Sequence, residues 1–167
     1  MTEEVKRSYL EITSLKDLQE SEQPSEDYIV DLIEPTDFQL NKFFYKNIGK
    51  KHKWIDRLIW TEEQWIKYVS NKNVQTFVLK NKKDLVGFFE LIIHSEKQEV
   101  EIAYFGILEE YQNKKLGSFL LSNAIKKSFQ QNVDRVWLHT CSLDHKNALN
   151  NYLARGMKIF KSEIVKI

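Results

Sequence analysis

Between Gln75 and Leu108 three apolar runs, rich in β-branched and aromatic residues, follow one another with only short polar interruptions at 81–84 and 95–98. Strands joined by so few residues can only fold back beside their predecessors, so an antiparallel meander of 75–79, 85–93 and 99–108 is expected. Such a sheet needs covering, and the flanking segments supply helices. Pro35 and Thr36 break the run from Tyr28 to Ile33 and cap a helix beginning near Asp37, with Phe38, Phe43 and Phe44 on its buried side and Gly49 at its end. Thr61 opens a second helix with Trp65, Ile66 and Val69 at helical spacing. Helical periodicity resumes near Leu116, placing Leu120, Leu121, Ala124, Ile125 and Phe129 on one side and Lys126, Lys127 and Gln130 on the other. A strand at 133–141, a helix at 146–154 stopped by Gly156 and a last strand at 157–165 complete an α+β order without repeats.

Residues 1–27 are polar, with one apolar alternation at Tyr9, Leu10 and Ile12, and read as an N-terminal extension, strand or arm, to a single domain of 28–167. Lys and Arg number 25 against 24 Asp and Glu, so no global field draws the chain to nucleic acid or an anionic membrane. No stretch approaches the roughly 18 apolar residues of a membrane span. The lone Cys141 has no partner for an internal disulfide and fits a reducing, cytoplasmic setting. No Cys/His cluster has zinc spacing, so no metal is expected.

The stretch EEYQNKKLGS joins the last meander strand to the helix at Leu116. A strand-to-helix turn presents the unsatisfied N–H groups of the first helical turn and the positive end of the helix dipole, which makes it an anion site. Gln112, Asn113 and Ser118 add neutral donors, Lys114 and Lys115 add charge, and Gly117 lacks the Cβ that would hold a phosphate off the backbone. The composition suits a pyrophosphate; a polar surface turn with solvated lysines is the alternative.

In this turn the chain resembles the Gcn5-related N-acetyltransferase (GNAT) superfamily, whose coenzyme A loop reads Gln/Arg-x-x-Gly-x-Gly/Ala. Gln112 takes its first position and Gly117 its last, while Lys115 stands where the first Gly belongs and is expected to hold a right-handed helical backbone. The resemblance runs from about Val74 to Phe160 and includes DHKNALNNYLARGMKIF. It implies a mixed, mostly antiparallel central sheet with helices on both faces, and acetyl-CoA as cofactor. Asn147 matches the residue that holds the pantetheine arm and Tyr152 the residue beside the thioester sulfur. Phe105, Ile107 and Leu116 fall on the strand end and helix start that flank the cofactor, and a bulge and splay near 105–108, which Gly106 would permit, would free backbone N–H groups there. An uncharacterised bacterial branch of the superfamily is similar through EVEIAYFG, VWLHTCSLDH and WIDR.

Acetyl transfer needs a neutral amine, stabilisation of the oxyanion and a proton for the departing thiolate. Glu101 lies eleven residues before Gln112, the offset of the general-base glutamate in histone-type members. On an alternating strand Glu101, Ala103 and Phe105 would share a partly apolar face, with Glu99 as a substitute; an edge carboxylate in water is the alternative. Glu90 could meet Glu101 across the strand pair or bind a cationic substrate. Tyr152 is the candidate general acid, against ordinary packing on an amphipathic helix. His139 is expected to be a satisfied buried histidine and His145 a solvated or capping one. No dedicated base adjoins Cys141, so direct transfer is expected rather than an acyl-enzyme.

Substrate identity should be written in 38–69, where most aromatics sit at core spacing and Trp54, Asp56 and Arg57 are the exposed candidates. The expected activity is N-acetylation of a primary amine of a small molecule by a monomer or homodimer. A protein N-acetyltransferase and a non-catalytic acyl-CoA sensor are the alternatives.

Overall fold

The protein, described here by a computed structural model covering residues 3–166, has seven strands and four helices. The strands are β1 (Glu4–Ile12), β2 (Tyr28–Leu32), β3 (Val74–Asn81), β4 (Asp84–His94), β5 (Glu99–Ile107), β6 (Arg135–Cys141) and β7 (Lys158–Lys166). The helices are α1 (Phe38–Gly49), α2 (Glu62–Val69), α3 (Leu116–Phe129) and α4 (Ala148–Ala154). One sheet contains all seven strands in the order β2-β3-β4-β5-β6-β1-β7. Every pairing is antiparallel except β5 with β6.

The meander forms as its short turns require, with β3, β4 and β5 side by side. The larger core lies on the α3 and α4 side, where Leu120, Leu121, Ala124 and Ile125 pack on Leu79, Leu91 and Val100 with no residual exposure. A smaller cluster of Phe44, Ile48, Val78, Phe88 and Leu108 lies under α1. Complete burial of each of these large side chains stabilises the fold by about 1.5–3 kcal/mol.

Residues before Tyr28 contribute more than an edge. β1 lies between β6 and β7, and its Leu10 and Ile12 are 0% and 2% exposed within the main core. Helix α1 is capped by Asp37, whose side chain accepts from Gln39 N–H at 3.1 Å. Its buried face is Asn41, Phe44, Tyr45 and Ile48, whereas Phe43 is 40% exposed. The aromatic run Phe43-Phe44-Tyr45 covers too wide an arc of a helix for all of it to face the sheet. Likewise Trp65 and Val69 of α2 are buried and Ile66 is exposed.

One local departure from regular geometry and one bare glycine shape the site. A register shift in the β4–β5 pairing, between Glu90 opposite Tyr104 and Leu91 opposite Ile102, leaves Ala103 as the extra residue of a bulge. Val100 and Ile102 face the α3 core before it, and Phe105 and Ile107 face the same core after it. Phe105 therefore lies on the opposite face from Glu101, because the bulge reverses the alternation that would have joined them. Gly106 has a different role from the expected one: a Cβ there would come within 2.7 Å of Ile48 Cγ2, so its bareness lets α1 settle on β5.

Candidate active site

β5 and β6 pair over three positions, Glu99–Arg135, Val100–Val136 and Glu101–Trp137, and then diverge. A cavity of about 1100 Å³ occupies the opening. Its walls come from both sides of the sheet, and both ends of the proposed chemistry meet on it: the turn after β5, the helix α4, and the α1-side face of β5 and β6.

In the turn, Asn113 and Lys115 have φ of 65° and 62° and flank Lys114, so left-handed residues alternate along the chain. Successive N–H groups in such a backbone converge into an anion-binding concavity. Lys115, expected in the right-handed region, instead occupies the left-handed one at a cost of about 1–2 kcal/mol, which explains why a glycine suits this position. It is the N-cap of α3, and no side chain caps the helix, so the first-turn N–H groups remain open to a ligand. Leu116 anchors the turn with its side chain 2% exposed in the core. Gln112 Nε2 donates to Ile107 O at 3.4 Å and ties the turn to β5. A Cβ on Gly117 would meet nothing nearer than Asn151 Nδ2 at 3.7 Å, so space is open above it. Ser118 lines the cavity, while Lys114 does not line it and places its ammonium 5.5 Å from the Tyr111 ring centroid.

Across the opening, Asn147 is the exposed N-cap of α4 and Tyr152 is 7% exposed on the same helix. The Tyr152 ring meets Phe105 edge-on at 6.2 Å. Its hydroxyl has no hydrogen-bond partner among the described residues, and burial, reinforced by Asp144, holds the phenol well above its ordinary range. Asn151, which sequence reasoning missed, shares a helical face with Asn147 four positions earlier and keeps a buried Oδ1 without a partner. The i, i+4 pair of asparagines was the available signal.

On the α1-side face, Glu101 Oε1 accepts from His94 Nε2 at 3.2 Å, with the two side chains 19% and 31% exposed. His94 was also missed; it lies on the neighbouring strand and no sequence spacing links it to Glu101. Glu101 stands opposite Ile92, not Glu90, on β4. Glu99 is held by Arg135 Nη1 at 2.9 Å and does not line the cavity. His139 is exposed on the cavity wall, not enclosed in the core. The surrounding protein, and then Arg7, lower its pKa. His145 Nδ1 accepts from Asn147 N–H at 3.1 Å, a local bond just before α4 that leaves the helix without a side-chain cap. Burial raises the Cys141 thiol above its ordinary value. The Leu108 N–H, expected to be free, donates to Val86 O at 2.9 Å.

The remaining acceptor-side candidates separate. Trp54 and Arg57 line the cavity, and Glu90 does not. Arg57, expected to be exposed, is 6% exposed, and Glu90 is fully buried. Arg57 Nη1 donates to Glu90 at 2.9 Å, and Tyr68 and Asn41 donate to the same carboxylate at 2.7 and 2.8 Å. Rings of Tyr68 and Tyr104 stand 4.1 and 4.3 Å from the guanidinium carbon. Glu90 thus holds Arg57 against the aromatic end of the cavity. Among the described residues no group of three or more His, Cys, Asp or Glu could hold a metal ion. No helix among them is long and apolar enough to cross a membrane.

Comparison with known proteins gives a consistent picture. The profile of the acetyltransferase (GNAT) family matches residues 27–157. Among solved structures, a GCN5-related N-acetyltransferase from Sphaerobacter thermophilus superposes with a TM-score of 0.72 at 15% identity, covering 97% of this chain and 50% of its own. The chain thus spans half the length of that protein. An aminoglycoside acetyltransferase from an uncultured soil metagenomic sample matches with a TM-score of 0.66 at 15% identity, covering 80% of this chain and 90% of its own. A Bacillus subtilis acetyltransferase in complex with CoA matches with a TM-score of 0.61 at 19% identity, covering 80% of this chain and 78% of its own. No curated protein matches.

Proposed function

Since the chain belongs to the acetyltransferase (GNAT) family, we propose that it transfers an acetyl group from acetyl-CoA to a primary amine of a small molecule by direct attack. The observation that carries this reading is the divergence of β5 from β6 beyond Glu101, which opens one cavity to Glu101, Tyr152 and the turn before α3.

Coenzyme A fits the chain's own features. The left-handed Asn113 and Lys115, the uncapped start of α3 and the space above Gly117 suit its pyrophosphate. Asn147 and the unpartnered Oδ1 of Asn151 suit the amide groups of its pantetheine arm, with Phe105 and Ile107 as the apolar wall. When bound, acetyl-CoA supplies an activated acyl group and a thiolate leaving group.

Glu101 accepts the proton of the incoming amine through its free oxygen, while His94 holds the other and orients the carboxylate. Tyr152 keeps its proton at neutral pH because burial disfavours the phenolate, so its hydroxyl remains a hydrogen-bond donor for the departing sulfur. Burial likewise keeps Cys141 a thiol, which favours direct transfer over an acyl-enzyme. The test is thiol release from acetyl-CoA across a panel of primary amines, with coenzyme A affinity measured separately. Amine-dependent release is expected; tight cofactor binding with no release on any amine would instead support an acyl-CoA-binding module.

A further inference from the structure

Part of the cavity wall is built by β1, and it carries a cation, Arg7, that makes no ion pair within 4 Å among the described residues. Arg7 stands opposite Cys141 of β6 and Glu163 of β7. Directly opposed residues project from the same face of a sheet, and Arg7, Cys141 and the neighbouring His139 all line the cavity. Arg7 is half-buried and its Nε is fully buried with no partner among the described residues. The carboxylates nearby take their direct partners elsewhere, although Arg7 joins the Tyr9 hydroxyl and Lys161 in lowering the pKa of Glu163. Glu163 accepts from the Tyr9 hydroxyl at 2.7 Å and pairs with Lys161 at 3.6 Å. Asp144 Oδ2 accepts from the Thr140 hydroxyl and from Cys141 N–H at 3.1 Å.

A half-buried guanidinium with an unsatisfied N–H and no ion pair among the described residues is costly, and Arg7 lines the cavity, from which an anion can meet the part of the side chain left exposed. We propose that Arg7 anchors the acceptor: the cavity takes an amine tethered to a carboxylate or phosphate, with the anion at Arg7 and the amine directed toward Glu101. This rests on the N-acetyltransferase reading of the cavity. Glu101 pairs with Trp137, and Arg7 with Cys141 four positions further along β6. With β6 between the two strands, about 13 Å along the strand at roughly 3.3 Å per residue combines with about 10 Å across two strand spacings into a gap on the order of 16 Å, shortened by the reach of two long side chains. An amine several bonds from its anion spans such a gap better than an α-amine beside its own carboxylate.

Matched amines test this: δ-aminovalerate against n-pentylamine for the carboxylate, and O-phosphoethanolamine against ethanolamine for the phosphate. Thiol release should show at least one anion-bearing amine with a KM about 10-fold or more below that of its neutral counterpart, as a charged hydrogen bond supplies. Arg7→Gln should bring the two together, and Arg7→Lys should retain part of the difference. Equal KM values within both pairs for the unaltered protein, or a preference that persists in R7Q, would overturn the proposal. Weakening of coenzyme A binding by R7Q to the same degree would also overturn it, by assigning Arg7 to the cofactor. Thermal melting with coenzyme A present gives a readout independent of turnover. If no amine is acetylated but an anion-bearing compound raises the melting temperature of the unaltered protein and not of R7Q, the anchor stands and the N-acetyltransferase reading falls. Equal shifts in both proteins, or none in either, remove the anchor.

Discussion

Arg57 Nη1 donates to both carboxylate oxygens of Glu90, at 2.9 and 3.2 Å, in a pocket where the two residues are 6% and 0% exposed. Removing one member leaves the other charged, desolvated and unpaired. Glu90→Ala is expected to lower stability by roughly 3–5 kcal/mol, read from the denaturant midpoint. Replacing both by apolar residues of similar volume should recover only part of that loss, because Tyr68 and Asn41 donate to the same carboxylate and lose their acceptor. A change in Glu90→Ala no larger than that of a surface ion pair, under about 1 kcal/mol, would show that the cluster is solvated.

Lys115 bears the strain of the turn. Lys115→Gly relieves a left-handed backbone at φ 62° but adds unfolded-state entropy, so a net gain on the order of 0.5–1 kcal/mol is expected in thermal unfolding. Coenzyme A affinity should hold, because the backbone supplies the anion contacts. A large loss of affinity would transfer that role to the Lys115 ammonium.

Glu101→Gln keeps the size of the side chain and removes its basicity. A loss of about 10²–10⁴ in kcat/KM is expected, with coenzyme A binding retained. His94→Ala should shift the pH profile of kcat/KM, since His94 donates to the same carboxylate. An unshifted profile would leave His94 a packing residue.

Tyr152→Phe removes one hydroxyl from a ring packed on Phe105. Turnover is expected to fall by about 10²-fold, with melting temperature and cofactor affinity nearly unchanged. Normal turnover would make Tyr152 a packing residue.

His139 connects the cavity to pH. Its pKa is lowered in the folded protein by the surrounding protein and by Arg7, so the unfolded chain binds the proton more tightly. Stability should therefore decline as pH falls from about 6.5 towards the folded value, and be unaffected by His139 well above that window. His139→Gln should flatten this decline in urea titrations at several pH values. His145, whose pKa is lowered by burial and then by His52, contributes in the same direction and should leave a residual slope.

Part of the candidate site was legible beforehand where the signal is local. Gln112 and Gly117 lie in one turn read from its own neighbours, Asn147 and Tyr152 were singled out through the family resemblance, and all four line the cavity. Partnership across strands could not be read in this way. His94 reaches Glu101 from β4, Arg135 removes Glu99 from contention, and Glu90 turns to Arg57. The first two depend on strand pairing, which in the β4–β5 pair shifts by one residue at Ala103, and the third on the segment between α1 and α2 that carries Arg57.

By itself the sequence determined the order of elements and the position of the turn before α3, because periodicity, caps and glycine positions act over a few residues of backbone. Tertiary structure decided three further things. It sent Lys115 into the left-handed region. It buried Arg57 among aromatic rings. It placed β1 between β6 and β7, so that Arg7 lines the cavity. The physical reason is that strand insertion, ion pairing and backbone strain balance over contacts distant in the chain, and no local pattern encodes their sum.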